Sequence, residues 1–118
     1  MTKAYISGPI SGVVNPTVIF KEAKEALILV MDWEVFNPMN IAFPSTKEEK
    51  RELQKVGEWV YYMKRGLREL LECDCLVLLP GYKDSKGAMI EKKLAEDLHL
   101  PVYRLHQIVG EAEFVRKS

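Results

Sequence analysis

Glu91 is the side chain whose position most needs a chemical explanation. Ser85 to Leu98 reads as a helix, and Ala88, Leu94, Ala95 and Leu98 set its apolar face. Glu91 stands three, three, four and seven positions from them, so it lies on that same face. Lys92, Lys93, Glu96 and Asp97 take the opposite side. A carboxylate on a sheet-facing stripe is costly unless it is paired or working. If working, it is a desolvated nucleophile or general base. If not, it is a buried ion pair or a partly exposed edge position. Upstream, Ser85-Lys86-Gly87 opens the helix. Ser85 fits an N-cap. A hydroxyl, a glycine and a lysine at a helix N-terminus also suit a phosphate. A phosphate there would sit about two turns from Glu91, which suits a substrate with a phosphate at one end and a reacting carbon at the other.

A second candidate is the run Ser7-Gly8-Pro9-Ile10-Ser11-Gly12, which follows a short strand and precedes a helix. Small residues there let the backbone approach a phosphate or sugar hydroxyls. An ordinary tight turn reads the same way. The run is neither G-x-G-x-x-G nor a P-loop, so dinucleotide and ATP readings lose their main support. Trp59, Tyr61, Tyr62 and Tyr82 either stack on a base or serve as core. Cys73 and Cys75 are too close for a common disulfide framework, and His99 and His106 show no metal-ligand spacing. Two reduced, buried thiols are expected, hence a cytoplasmic protein; separately, no metal and no cofactor are expected.

The elements that must position these residues alternate. Lys3–Ser7 is a strand ending at Gly8-Pro9. Pro16–Val30 is a helix, with Asn15 as N-cap and Pro16 at its first position. Trp33–Phe36 is a strand. Ser45-Thr46-Lys47-Glu48-Glu49 can cap a charged, solvated helix. Residues 56–72 form a helix with the stripe Val56, Val60, Met63, Leu67, Leu70 and Leu71. Cys75–Leu79 is an all-apolar strand, as expected when both faces are covered. Val102–Leu105 is a last strand, and a further helix is expected from Gln107. Asp74, at the entry to the Cys75 strand, is read as structural. The order β-α-β-α-β-α-β implies a single domain over residues 1–118. Its expected form is a doubly wound parallel sheet in a three-layer α/β/α, Rossmann/flavodoxin-like arrangement. Ligands in such sheets bind beyond the carboxyl ends of the strands.

Composition narrows the partner. The 118 residues carry 17 basic and 17 acidic side chains, so no global field exists to hold a nucleic-acid polymer. No apolar run approaches the ~20 residues of a membrane helix, and the N-terminus does not read as a secretory signal. A soluble protein that binds a small molecule is expected.

Four segments in order resemble the nucleoside 2-deoxyribosyltransferase superfamily, and within it the short, often phage- or prophage-encoded branch. They are AYISGPISG at 4–12, WEVFNP at 33–38, YMKRGLRELLECDCLVLLPGY at 62–82 and SKGAMIEKKLAEDLHLPVY at 85–103. The resemblance implies cleavage of an N-glycosidic bond. The glutamate matching Glu91 attacks the anomeric carbon, and water or a second base resolves the glycosyl-enzyme. Tyr5 matches the tyrosine that positions the nucleophile. Ser7, Gly8, Pro9, Ser11, Gly12, Ser85, Lys86 and Gly87 then bind the substrate. The family position matching Ser85 is a serine in hydrolases of nucleoside 5′-monophosphates and an aspartate in base-exchanging transferases, so Ser85 favours a 5′-phosphate substrate. One position departs. The family's leaving-group aspartate is replaced by Gly66, which raises the alternative of a nucleotide-binding or sensing module with impaired turnover. Glu69, Asp84 or a neighbouring subunit could compensate. The resemblance also implies a homo-oligomer, a dimer or larger, and a chain this short has little room for a lid of its own.

Overall fold

The computed structural model describes residues 1–110. Its strands are β1 (Lys3–Ser7), β2 (Glu34–Phe36), β3 (Cys75–Leu78) and β4 (Val102–Arg104). Its helices are α1 (Pro16–Met31), α2 (Lys47–Val56), α3 (Glu58–Leu71), α4 (Lys86–Asp97) and α5 (Leu105–Val109). The expected strand at Lys3–Ser7 is the observed one, and the last strand stops one residue short of Leu105, which begins α5. The remainder of the expected C-terminal helix lies outside the described residues. No helix among the described residues is long and apolar enough to cross a membrane.

The strands lie in the order β2-β1-β3-β4, all parallel. The chain winds outward from β1 to β2, then returns to β3 and winds outward to β4. The reversal falls between β1 and β3, and the crevice of such a sheet lies beyond their carboxyl ends. Period-two alternation divides the strand residues between two cores. Ala4, Ile6, Cys75 and Val77 pack with Phe20, Ala23 and Leu27 of α1 and with Leu105 and Val109 of α5. Tyr5, Leu76 and Leu78 pack with Leu70 of α3 and with Ala88 and Ala95 of α4. This is the doubly wound α/β/α arrangement expected.

Local chemistry sets the helix ends. Thr46 accepts from the Glu49 amide at 3.1 Å, and Glu49 accepts from the Thr46 amide at 3.0 Å, a reciprocal cap on α2. The Thr46 and Ser45 amides, both donating to Glu49 Oε1, hold its carboxyl down at about 2. Gly57, at φ +87°, breaks the chain between α2 and α3, so α3 starts at Glu58 rather than at 56. Asn15 stands at the N-cap of α1, but its left-handed backbone leaves its side chain without a capping bond. Leu71 and Leu98, both assigned to apolar faces, are exposed, as are Val18 and Val30 on α1. Leu71 sits beside the sheet-facing Leu70, and Leu98 lies past the end of α4 with non-helical geometry. At the opposite sheet edge from the crevice, Asp74 accepts from the Lys3 amide at 2.8 Å and its own amide donates to the Lys3 carbonyl at 2.7 Å. That pair of bonds ties the start of β3 to the start of β1, a structural role for Asp74. Cys73 and Cys75 are free and buried, and burial pushes each thiol up to about 11.

Candidate functional site

Tyr5 and Ser7 are two apart on β1, so both point toward the face covered by α3 and α4. Glu91 reaches the same place from the second turn of α4. Its neighbours on that helix face, Ala88 and Ala95, are small and fully packed. Side chains on a helix tilt toward its N-terminus, which aims Glu91 at the carboxyl edge of the sheet. The Tyr5 hydroxyl donates to Glu91 Oε2, and Ser7 Oγ donates to Oε1 at 2.6 Å. Each carboxylate oxygen thus holds one hydroxyl. Glu91 is 7 % exposed, and Tyr5 and Ser7 are 1 % exposed. The Tyr5 ring stacks on Phe36 of β2, with centroids 5.5 Å apart, which fixes the direction of its hydroxyl.

Among the described residues no cation pairs with Glu91; the ion pairs lie elsewhere, including Lys92–Glu96 and Lys93–Asp97 on the outer side of α4. A buried ion pair is therefore not what explains this carboxylate. Burial raises the Glu91 carboxyl above its ordinary range, and the bonds from Ser7 and Tyr5 offset part of that rise. Burial, and next the charge on Glu91, raises the Tyr5 phenol well above its usual range. An ionised carboxylate has about four lone-pair sites, so two single hydroxyl bonds leave lone pairs free to attack an electrophile.

The third element to reach Glu91 is α3, through Gly66. A Cβ on Gly66 would stand 2.6 Å from the Tyr5 hydroxyl oxygen and 3.4 Å from Glu91 Oε2. Bare backbone here lets α3 close over the tyrosine–glutamate pair. In the sequence Gly66 stands out only through the resemblance, as the position where an aspartate is expected. The structure shows what occupies that side chain's place, a contact no local sequence signal reveals. Contacts between Trp59 and Lys86, Met63 and Gly87, and Gly66 and Glu91 run α3 and α4 side by side in one direction. Both helix N-termini therefore face the crevice.

Ser85 caps α4: its Oγ accepts from the Ala88 amide at 3.1 Å. Lys86 is exposed, and its ammonium lies 4.7 Å from the centre of the Trp59 ring, a cation–π contact absent from the sequence reading. Gly87 is half-buried, and a Cβ there would come within 3.0 Å of Met63 Sδ. The loop after β1 divides. Gly8 is buried where β1 passes β3, and a Cβ there would meet Leu79 at 2.8 Å. Pro9 packs against Gly81, whose φ is +83°. Ser11 and Gly12 are exposed, and among the described residues no hydrogen bond joins them to Glu91. Of the aromatic candidates, Tyr61 and Tyr82 are buried and Trp59 is exposed. Arg65 covers the Tyr61 ring at 3.5 Å, and the Tyr61 hydroxyl has no partner among the described residues.

Fold and site together define an open parallel α/β protein with a buried, hydroxyl-held carboxylate at the point where the strand order reverses. The chain belongs to the family described as Domain of unknown function (DUF4406), whose match spans residues 2–104 and takes in Tyr5, Ser7, Gly66, Ser85 and Glu91. No curated protein and no solved structure matches the chain.

Proposed function

We propose that the protein is an N-glycosidase that hydrolyses nucleoside 5′-monophosphates to free base and sugar 5-phosphate. The observation that carries this reading is Glu91: a buried carboxylate with two neutral hydroxyl donors, no cationic partner among the described residues, and a place at the ligand edge of the sheet. An ionised carboxylate so placed is a competent nucleophile toward an anomeric carbon. One oxygen of Glu91 bonds to C1′ as the C1′–N bond breaks through an oxocarbenium-like transition state. Water then cleaves the glycosyl ester and restores the carboxylate. Tyr5 and Ser7 orient the carboxylate. The N-terminal turn of α4, with Ser85, Lys86 and Gly87, takes the 5′-phosphate, and Gly8, Pro9, Ser11 and Gly12 line the sugar side. Ser85 to Glu91 spans roughly 9 Å of helix axis, a length that a sugar 5-phosphate and its contacts can bridge.

Two free, buried thiols fit a reducing, cytoplasmic setting. Exposed Trp59, Met89 and Ile90, near the N-terminal ends of α3 and α4, fit a homo-oligomer that walls the crevice. No metal or organic cofactor has a part in this route. Gly66 favours a second reading, a module that binds a nucleotide without cleaving it. Base exchange between nucleosides is a third, weakened by Ser85. The deciding experiment incubates the protein with ribo- and deoxynucleoside 5′-monophosphates, nicotinamide mononucleotide and 7-methylguanosine 5′-monophosphate among them, and follows free base by chromatography. Base release that Glu91→Gln abolishes is expected. No release from any substrate, or release untouched by Glu91→Gln, overturns the proposal. Tight nucleotide binding without release would establish the second reading.

A further inference from the structure

Resting on the role proposed above for Glu91, we infer that the substrates this chain turns over carry a cationic base: a pyridinium nucleotide or a nucleotide of an N7-alkylated purine. In a retaining displacement, the group that protonates the leaving atom stands about 5 Å from the nucleophilic carboxylate. Besides β1, α3 also reaches Glu91, and the residue it presents there is Gly66. The place a side chain would take there is held by the Tyr5 hydroxyl, 2.6 Å from where a Cβ would stand. Tyr5 itself is stacked on Phe36 and bonded to Glu91, so it does not move aside freely. The two hydroxyls that touch Glu91 both direct their protons at the carboxylate. Burial makes the Tyr5 phenol a still weaker acid than usual. Among the described residues, the side chains bonded to Glu91 hold a nucleophile and offer no proton to a departing base, and Glu69 pairs with Lys3 at the other end of β1.

A neutral base leaves as an anion unless it gains a proton, whereas a cationic base needs none. A lone pair of Glu91 forms the bond to C1′. The electron pair of the C1′–N bond passes to the ring nitrogen and cancels its positive charge. The base departs neutral, with no proton moved. Water then bonds to C1′ as the C1′–O bond to Glu91 breaks, and one proton passes to solvent. The uncompensated charge of Glu91 also attracts a cationic ring into the crevice.

The test compares matched substrates that differ in this charge. These are 7-methylguanosine against guanosine 5′-monophosphate, in ribo and deoxy forms, and nicotinamide mononucleotide against cytidine 5′-monophosphate. Rates are measured above the release seen with Glu91→Gln. General acid assistance is typically worth 10²–10⁴-fold, so kcat/KM for the charged member is expected to exceed the neutral one by more than tenfold. The pH profile on nicotinamide mononucleotide, whose pyridinium ring carries no titrating proton, is expected to show an acid limb and no alkaline limb. Neutral bases released within tenfold of the charged ones, or an alkaline limb that marks a protein acid, would overturn this inference and leave the N-glycosidase reading standing. No release from any substrate would overturn both.

Discussion

Replacing Gly66 with alanine tests whether α3 must stay bare above the tyrosine–glutamate pair. Gly66 is in a helix interior, where alanine is normally favoured over glycine by about 1 kcal/mol. On propensity alone, Gly66→Ala stabilises. The structure predicts the opposite sign. The new Cβ would stand 2.6 Å from the Tyr5 oxygen, so that oxygen must retreat about 0.8 Å to reach ordinary contact at 3.4 Å. Its ring is held by Phe36 and the buried cluster, so the strain is of the overpacking kind, about 1–3 kcal/mol. Tyr5→Phe removes the clashing atom. The nearest atoms then are Glu91 Oε2 at 3.4 Å and the ring Cζ at 3.8 Å, both ordinary contacts. Gly66→Ala is therefore expected to be neutral to destabilising by about 2 kcal/mol in the natural chain, and to stabilise the Tyr5→Phe variant by about 1 kcal/mol. Denaturant unfolding of the four proteins measures the coupling, expected at about 1–3 kcal/mol. Equal effects of Gly66→Ala in both backgrounds, or stabilisation of the natural chain, would refute the contact and the argument built on it. Activity gives an independent reading, because displacement of a positioning group by about 1 Å can cost roughly 10²-fold in rate.

Other consequences follow from the same structure. Glu91 has a raised folded-state pKa, so its contribution to stability is full below the ordinary carboxyl value of 4.5 and is lost as pH rises through the folded value. Glu91→Gln should thus gain stability relative to the natural chain between pH 4 and pH 8; a pH-independent difference would contradict a buried charge. Because attack requires the ionised form, the acid limb of kcat/KM should lie above the normal glutamate range, and a limb at or below that range would show an exposed carboxylate. Thr46→Ala removes the cap on α2 and should cost about 1 kcal/mol in chemical denaturation with base release unchanged. Cys73 and Cys75 should react with a thiol reagent slowly in the folded protein at pH 8 and rapidly in denaturant; rapid labelling in both states would contradict their burial.

Much of the fold was legible because period-two and period-3.6 patterns are local. Lys3–Ser7 alternates and stops at Gly8-Pro9, which places Tyr5 and Ser7 on one face. The stripe Ala88, Glu91, Ala95 places the glutamate on the covered face of α4. Less legible were ends and edges. Leu71 and Leu98 look like core residues by type, yet Leu70 already fills the sheet-facing direction and α4 has ended before Leu98. The convergence of Tyr5 and Ser7 on Glu91 spans more than 80 positions and depends on β1 lying beside β3, which no local window contains. Gly66 is the clearest case. Sequence shows a glycine inside a helix; only packing shows the Tyr5 hydroxyl 2.6 Å from where its Cβ would stand.

In the proposed reaction Glu91 becomes covalently attached to the sugar. A fluorine at C2′ withdraws electrons from the oxocarbenium-like transition state and slows release of a glycosyl ester. The protein is therefore incubated with a 2′-fluoro nucleotide carrying a cationic base, then digested and mapped by mass spectrometry. One added sugar phosphate is expected on the peptide that contains Glu91, and none on the Glu91→Gln protein. Base release with no adduct, or an adduct on a residue other than Glu91, would contradict it.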